Sequence, residues 1–305
     1  MTITDLQEYD PSLIRSESVE HNPYAVNPEA LGGQIADLVA NQEPYLDWHT
    51  NPDLTENPNG RKFLVYSIPS DSKYADIARS LEGFVIREDW GQDPAETLLE
   101  ETPHDPNSHF CLVVDVAPEV PRIAATLRIA DMLEGPSEAV GFYKREFGED
   151  VELPEGLKVS STDIKHGLWD IVGVFAHSDY RDGRATAWAY FGTMRRARDL
   201  NIGRFIANIT DRELRNLHSL GIPFHEIEGS SPGYYEPEDG SKGTKFIFCE
   251  TAVRDIDLGL RTKIDELLRR KPDESLVGIS RYLAELANVV LSGTVKIDHI
   301  TPVVV

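Results

Sequence analysis

Residues 169–209 read WDIVGVFAHSDYRDGRATAWAYFGTMRRARDLNIGRFIANI, and the fold turns on this stretch. Trp169 to Ala176 is a near-continuous apolar run, which predicts a strand covered on both faces and therefore central in a sheet. A short turn, His177 to Gly183, leads into a helix predicted over 184–200, with Ala187, Phe191 and Met194 on one face. A second strand, RFIANI (204–209), follows. Strand, turn and helix in that order make an anion site. The first-turn N–H groups of Gly183, Arg184 and Ala185 lack helical acceptors and stand at the positive end of the helix dipole. Gly183 lets a phosphate approach the backbone closely, and the small Ala185 keeps the path open.

Working outward, RKFLVYSI (61–68) reads as a strand and 71–90 as an amphipathic helix, followed by a Pro- and Asp-rich loop to 109. HFCLVVDV (109–116) and RIAATLRIA (122–130) read as an antiparallel pair, and 131–165 as an irregular acidic insertion. Downstream, TDRELRNLHSLG is a helix with capping-box spacing between Thr210 and Glu213 and with Gly221 as its stop. IPFHEI and TKFIFCETAV are two further strands, and two amphipathic stretches, 256–271 and 276–291, form a helical tail. Residues 1–60 read as an acidic extension with one helix, capped by Asn27, opened by Pro28 and carrying Leu31, Ile35 and Leu38 on one face. Three parts are therefore expected: 1–60, 61–255 and 256–305.

The 305 residues carry a formal charge of −22, which repels phosphate backbones and anionic lipid heads and argues against nucleic-acid partners and membrane adsorption. Residues 1–120 hold 23 acids and 6 bases, so most of the charge sits there, whereas 181–215 holds eight arginines against four acids and is where an anion would be attracted. No basic-then-apolar leader and no apolar run of about 20 residues is visible, so no membrane insertion is expected. Two cysteines, Cys111 and Cys249, make neither a disulfide framework nor a zinc cluster, and the nine histidines lack metal-ligand spacing. A soluble cytoplasmic protein without a metal is the expectation.

FAHSDYRDGRA (175–185) resembles the acyl-donor motif of the Gcn5-related N-acyltransferase superfamily, with Tyr180 and Arg181 at its Tyr-Arg positions and Gly183 and Ala185 in the pyrophosphate loop. Tyr180 stands where the loop usually opens with Gln or Arg, and Ala185 where glycine is commoner. WDIVGVFAH and LRNLHSLGIPFHEI are similar, more narrowly, to acyl-homoserine-lactone synthases and N-acyl amino acid synthases. The resemblance spans about residues 61–255 by eye. It implies an α/β (α+β) fold: a mixed, mostly antiparallel sheet flanked by helices, whose central strands 168–176 and 204–209 splay apart.

The resemblance also implies a chemistry. The pantetheine arm of acyl-CoA, acetyl-CoA or a carrier protein's phosphopantetheine would lie in the splay against Val172, Val174 and Phe175, with Arg181, Gly183, Arg184 and Ala185 near its phosphates. A freed N–H there can stabilise the oxyanion of a thioester adduct. Asp170 takes the position of the proposed base for a small-molecule amine, or else it is a start-of-strand residue that caps a turn. With side chains alternating along a strand, it is expected on the side of Val172 and Val174. The family's acid tyrosine is replaced by Leu217, so the thiolate leaves without an acid or is protonated by Tyr180, His218 or Tyr190. Trp90, Arg128 and Trp169 are expected around the acyl or acceptor pocket, with core packing the alternative for the tryptophans. Acyl carrier protein is a possible partner, and a homodimer is left open. Two other functions stay open: an acetyl-CoA-dependent acetyltransferase of a protein or drug amine, and a catalytically silent member that binds an acyl thioester.

Overall fold

The computed structural model describes residues 22–47, 61–181, 184–235 and 243–269. The strands are β1 (Leu46–Asp47), β2 (Phe63–Pro69), β3 (Ser108–Asp115), β4 (Arg122–Asp131), β5 (Leu168–Ala176), β6 (Arg204–Thr210), β7 (His225–Glu226), β8 (Gly233–Tyr235) and β9 (Thr244–Ala252). The helices are α1 (Gly32–Asn41), α2 (Ala75–Trp90), α3 (Pro94–Glu101), α4 (Glu138–Phe147), α5 (Ser161–His166), α6 (Arg184–Asp199), α7 (Asp211–Ser219) and α8 (Val253–Arg269). All nine strands join one sheet in the order β1-β2-β3-β4-β5-β6-β9-β7, with β8 also on β9. Every pairing is antiparallel except β5 with β6. The expected fold class is the one observed.

The parallel pair is the element that matters for a site. β5 and β6 pair only from Leu168 opposite Arg204 to Ile171 opposite Ala207, and from Val172 onward they part. The burial of β5 follows the split: Leu168 to Ile171 are buried, and Val172 to Ala176 are half-buried. On the other side β5 stays paired with β4 to its end, but the register slips by one residue. Arg128 faces Gly173 and Ile129 faces Ile171, so Val172 is the extra residue of a β-bulge. The bulge bends β5 at the point where β6 is lost.

The helices that frame the split start as the sequence indicates. Thr210 caps α7 by accepting from the Glu213 N–H, and Gly221 takes φ +83° just past its end. The reciprocal half of the capping box is absent, because the Glu213 carboxylate is engaged by Tyr190 instead. Asn27 caps a 3-10 turn, Pro28–Leu31, that runs into α1, so the two glycines open the helix rather than end it.

Three expectations are corrected. The loop expected before 109 holds α3 and a 3-10 stretch, Thr102–Asn107; Asp93 accepts from the Ala95 N–H and Pro94 suits the first helical position. The stretch 131–165 contains α4 and α5, capped by Ser137 and by a full Ser160–Asp163 capping box. IPFHEI yields only the two residues of β7.

Residues 22–47 contribute β1 to the sheet and Ile35, Leu38 and Leu46 to the main core, to which α8 adds Ile256 and Leu260. Tyr24 lies so close to α2 that a Cβ on Gly83 would overlap its carbonyl. The second amphipathic stretch, 276–291, lies outside the described residues.

Candidate functional site

The candidate site is the mouth opened between β5 and β6. Its floor is the edge of β5 from Val172 to Ala176, whose peptide groups on the β6 side have no partner strand among the described residues. Backbone groups at such an edge can pair with an extended amide-bearing chain, as strand addition does. At the end of β5 the chain turns through His177–Tyr180 and enters α6 at Arg184, with Ala185 fully buried behind it. Gly183 lies outside the described residues. Arg181 is exposed and ion-paired with Asp89 of α2 at 2.9 Å.

The bulge changes which side chains share a face. Directly opposed residues lie on one face, and Leu127, Ile129 and Asp131 oppose Val174, Ile171 and Trp169. Asp170 opposes Ala130 and lies instead with Gly173 and Phe175, which oppose Arg128 and Thr126. The expectation that Asp170 shares the side of Val174 is therefore corrected: one extra residue inverts the alternation. Its carboxylate is fully buried, and Oδ2 accepts from the Ser137 hydroxyl at 2.7 Å and the Ala139 N–H at 2.8 Å. That position, at the first turn of α4, ties the helix to β5. Asp170 Oδ2 thus caps the first turn of a distant helix, α4, rather than its own turn.

Tyr180 is likewise a packing residue. It is buried, its hydroxyl donates to Asp115 at 3.1 Å, and its ring stacks edge-on with Phe63 beneath the Arg61 guanidinium. Burial and the neighbouring Asp115 push its pKa far up, so it is held as a neutral phenol. His218 lies on the outer side of α7 and pairs with the Phe224 carbonyl at 2.7 Å, fixing the turn after the helix. The contacts described for Tyr180 are with Asp115, Phe63 and Arg61, and that for His218 is with the Phe224 carbonyl.

Among the residues expected around a pocket, Arg128 is fully buried and consumed by protein partners. Its guanidinium meets Asp105 at 2.7 Å, Ser108 at 3.0 Å, the Tyr24 hydroxyl at 3.3 Å and Glu82 at 3.6 Å. Trp169 is buried against Phe205. Both are corrected to core residues. Trp90 is 52% exposed at the end of α2. Of the eight arginines of 181–215, four are ion-paired among the described residues: Arg181 with Asp89, Arg195 with Asp199, Arg198 with Asp257, and Arg204 with Asp163 and Glu250.

The structure adds a pair that the sequence mentioned only as a remote substitute. Tyr190 of α6 donates its hydroxyl to Glu213 Oε1 of α7 at 3.0 Å. α6 follows β5 and α7 follows β6, so this bond links the two elements that diverge from the split. Tyr190 belongs to the same buried cluster as Trp169, Ile171 and, at its margin, Val174. Burial pushes the Glu213 carboxyl upward, with the Tyr190 hydroxyl and the Thr210 backbone pulling the other way; burial and Glu213 together push the phenol well up. The signal in the sequence was Glu213 itself, a capping-box acid whose partner proves to be a side chain.

No family model matches the chain, and no curated protein matches it. Solved structures do. It is similar to acyl-homoserine lactone synthases and to an N-acyl amino acid synthase. BjaI, a CoA-dependent acyl-homoserine lactone synthase solved with SAM and isopentyl-CoA, shares 14% identity over 66% of this chain and 89% of its own, at a TM-score of 0.45. FeeM, an N-acyl amino acid synthase from uncultured soil microbes, shares 16% over 65% and 95%, at 0.42. MesI, another CoA-dependent acyl-homoserine lactone synthase, shares 12% over 65% and 94%, at 0.41. At these low identities and scores the fold stands on the strand order and the β5–β6 split, which are read from this chain itself.

Proposed function

We propose that the protein is an N-acyltransferase that moves an acyl group from a CoA or carrier-protein thioester to the amine of a small molecule. The observation that carries this reading is the split itself. A strand edge freed from Val172 to Ala176 ends at the N-terminus of a 16-residue helix, α6. A pantetheine arm is an extended chain with two amides followed by phosphate, and it matches an open strand edge leading to a helix N-terminus. Arg184, at the first position of α6, stands at the phosphate end, while Arg181 is held by Asp89.

In this reading the amine attacks the thioester carbonyl, an N–H of the β5 edge holds the developing oxyanion, and the thiolate leaves as the amide forms. The ammonium must first lose a proton, and the thiolate gains one. Tyr190 and Glu213 are the pair we assign to proton handling, Glu213 as the acceptor and Tyr190 as the donor. Asp170 is assigned to structure, since its Oδ2 is committed to the Ser137 hydroxyl and the Ala139 N–H at the start of α4. The acyltransferase unit would be residues 61–255, with 1–60 and 256–305 as additions to it.

Free-thiol release from acetyl-CoA, longer acyl-CoAs and acyl carrier protein, each with a panel of small amines, tests the proposal. Amine-dependent release with one donor class supports it. Leu217, buried at the place of the family's tyrosine, favours a second reading, a silent protein that binds an acyl thioester. Donor binding without release from any donor would select that reading.

A further inference from the structure

A pocket of about 260 Å³ opens beside the turn that follows β5. Ligand pockets commonly run from about 300 Å³ upward, so this one suits the end of a longer molecule rather than a whole one. Three segments meet around it: the 3-10 turn and α1 with Glu29 and Ile35, the β3–β4 connection with Val120 and Arg122, and the turn after β5 with His177 and Tyr180. Gly32 brings α1 close to the connection, since a Cβ on it would stand 3.3 Å from Val120 Cγ1. One wall therefore comes from residues before 61, outside the proposed acyltransferase unit.

The polar groups of the pocket are few and differ in kind. Arg122 meets Asp179 only at 3.9 Å, with both side chains more than half exposed, so the pair is weak and the guanidinium can turn to a stronger anion. His177 stacks flat on Phe84 at 5.3 Å, and its Nδ1 accepts from the Asp179 N–H at 3.3 Å, which leaves the ring proton on Nε2 as a donor. Glu29 adds an exposed carboxylate. Ile35, Val120 and the ring of Tyr180, whose hydroxyl is engaged by Asp115, give apolar walls. A planar base carrying an amino group, next to a phosphate, fits this set: walls for the ring, Glu29 for the amino hydrogens, Arg122 and His177 for phosphate oxygens.

We propose that this pocket holds the phosphoadenosine end of a CoA donor, which makes the first segment of the chain part of the donor site. The inference rests on the acyltransferase reading above and chooses between its two donor classes. Tyr180 lies four residues before Arg184, where that reading puts the pyrophosphate, and in CoA the phosphoadenosine is the next group beyond the pyrophosphate. The phosphopantetheine of a carrier protein ends at a single phosphate and has no base to place here.

Calorimetric titration of the full chain with CoA, with phosphopantetheine and with adenosine 3′,5′-bisphosphate tests this without reference to turnover. CoA should bind about tenfold or more tighter than phosphopantetheine, and the bisphosphate should compete with CoA. Arg122→Ala should weaken CoA by about tenfold and leave phosphopantetheine unchanged. Val120→Trp, at a position 56% exposed, fills the pocket without touching its charge and should give the same selective loss. If both ligands bind and neither variant alters CoA affinity, the inference is overturned while the acyltransferase reading stands. Bisphosphate that binds without displacing CoA would show a separate nucleotide site and would overturn it too. Wild type that binds neither CoA nor phosphopantetheine would remove that reading, and the inference with it.

Discussion

The Tyr190 hydroxyl and the Glu213 carboxylate meet at 3.0 Å, and this bond spans from the helix that follows β5 to the helix that follows β6. Burial raises the Glu213 pKa above its usual value despite the phenol. A carboxyl with a raised folded pKa contributes its full stability below the unfolded value and loses it as pH climbs through the folded one. Glu213→Gln removes that titration while keeping an oxygen for Tyr190 to donate to. Wild type should therefore lose stability relative to Glu213→Gln as pH rises above the ordinary glutamate range, and the two should run parallel in acid. Urea midpoints from about pH 4 to about pH 8 check this; curves that stay parallel throughout would show that Glu213 feels no burial penalty.

Tyr190→Phe and Asp170→Asn separate the two candidate proton carriers. Tyr190→Phe should reduce amine-dependent thiol release by about 100-fold, the lower scale of general acid–base catalysis, with donor affinity unchanged. Asp170→Asn should retain turnover and cost about 1 kcal/mol of stability by weakening the cap on α4. Kinetics together with thermal melts decide between them. Full turnover in Tyr190→Phe and a collapse in Asp170→Asn would reverse the assignment.

Arg204 anchors the closed end of the β5–β6 pair. It meets Asp163 at 2.8 Å, Glu250 at 2.6 Å and the carbonyls of Gly156 and Lys158. Burial pushes Asp163 upward, but Arg204 and Ser160 outweigh it and the net pKa is lowered. Arg204→Ala strands a nearly buried carboxylate and should cost about 3–5 kcal/mol, read from denaturant unfolding at neutral pH. The penalty should shrink as pH falls through the Asp163 titration, because a lowered carboxylate pKa gives stability that is lost in acid.

Arg181 and Arg184 flank the same turn, but only Arg184 stands at the first position of α6, where the phosphates are proposed to lie. With Asp89 on Arg181, Arg181→Ala should change acyl-CoA affinity by less than about threefold, the effect of an exposed pair. Arg184→Ala should weaken it by about tenfold, and the deficit should fade with added salt. Calorimetric titration at two ionic strengths measures both. Equal effects from the two variants would place the phosphates elsewhere.

Much of this arrangement could be read from local pattern. The apolar run of β5, the Thr210 cap, Gly221 and the β3–β4 pair each declare themselves within a few residues. The Val172 bulge did not, because a bulge is a property of pairing with β4 and leaves no mark on one strand alone. It inverted the side on which Asp170 was expected. Arg128 was misplaced for a related reason: its partners Tyr24, Glu82 and Asp105 come from three separate segments. Asp93-Pro94 was local and legible as a helix start, yet the proline-rich composition around it suggested a loop.

The distribution of charge has a kinetic consequence. Arg128 and Arg181 are matched by acids of the first 120 residues, and the chain keeps its −22. An anion bound at the start of α6 would feel nearby positive charge, but on approach it crosses the repulsive field of the whole molecule. Salt screens the long-range field beyond about 8 Å and acts less on contacts within the site. Added salt should therefore speed the encounter of an anionic ligand while also speeding its escape, the opposite of the slowing seen where proteins steer their ligands in.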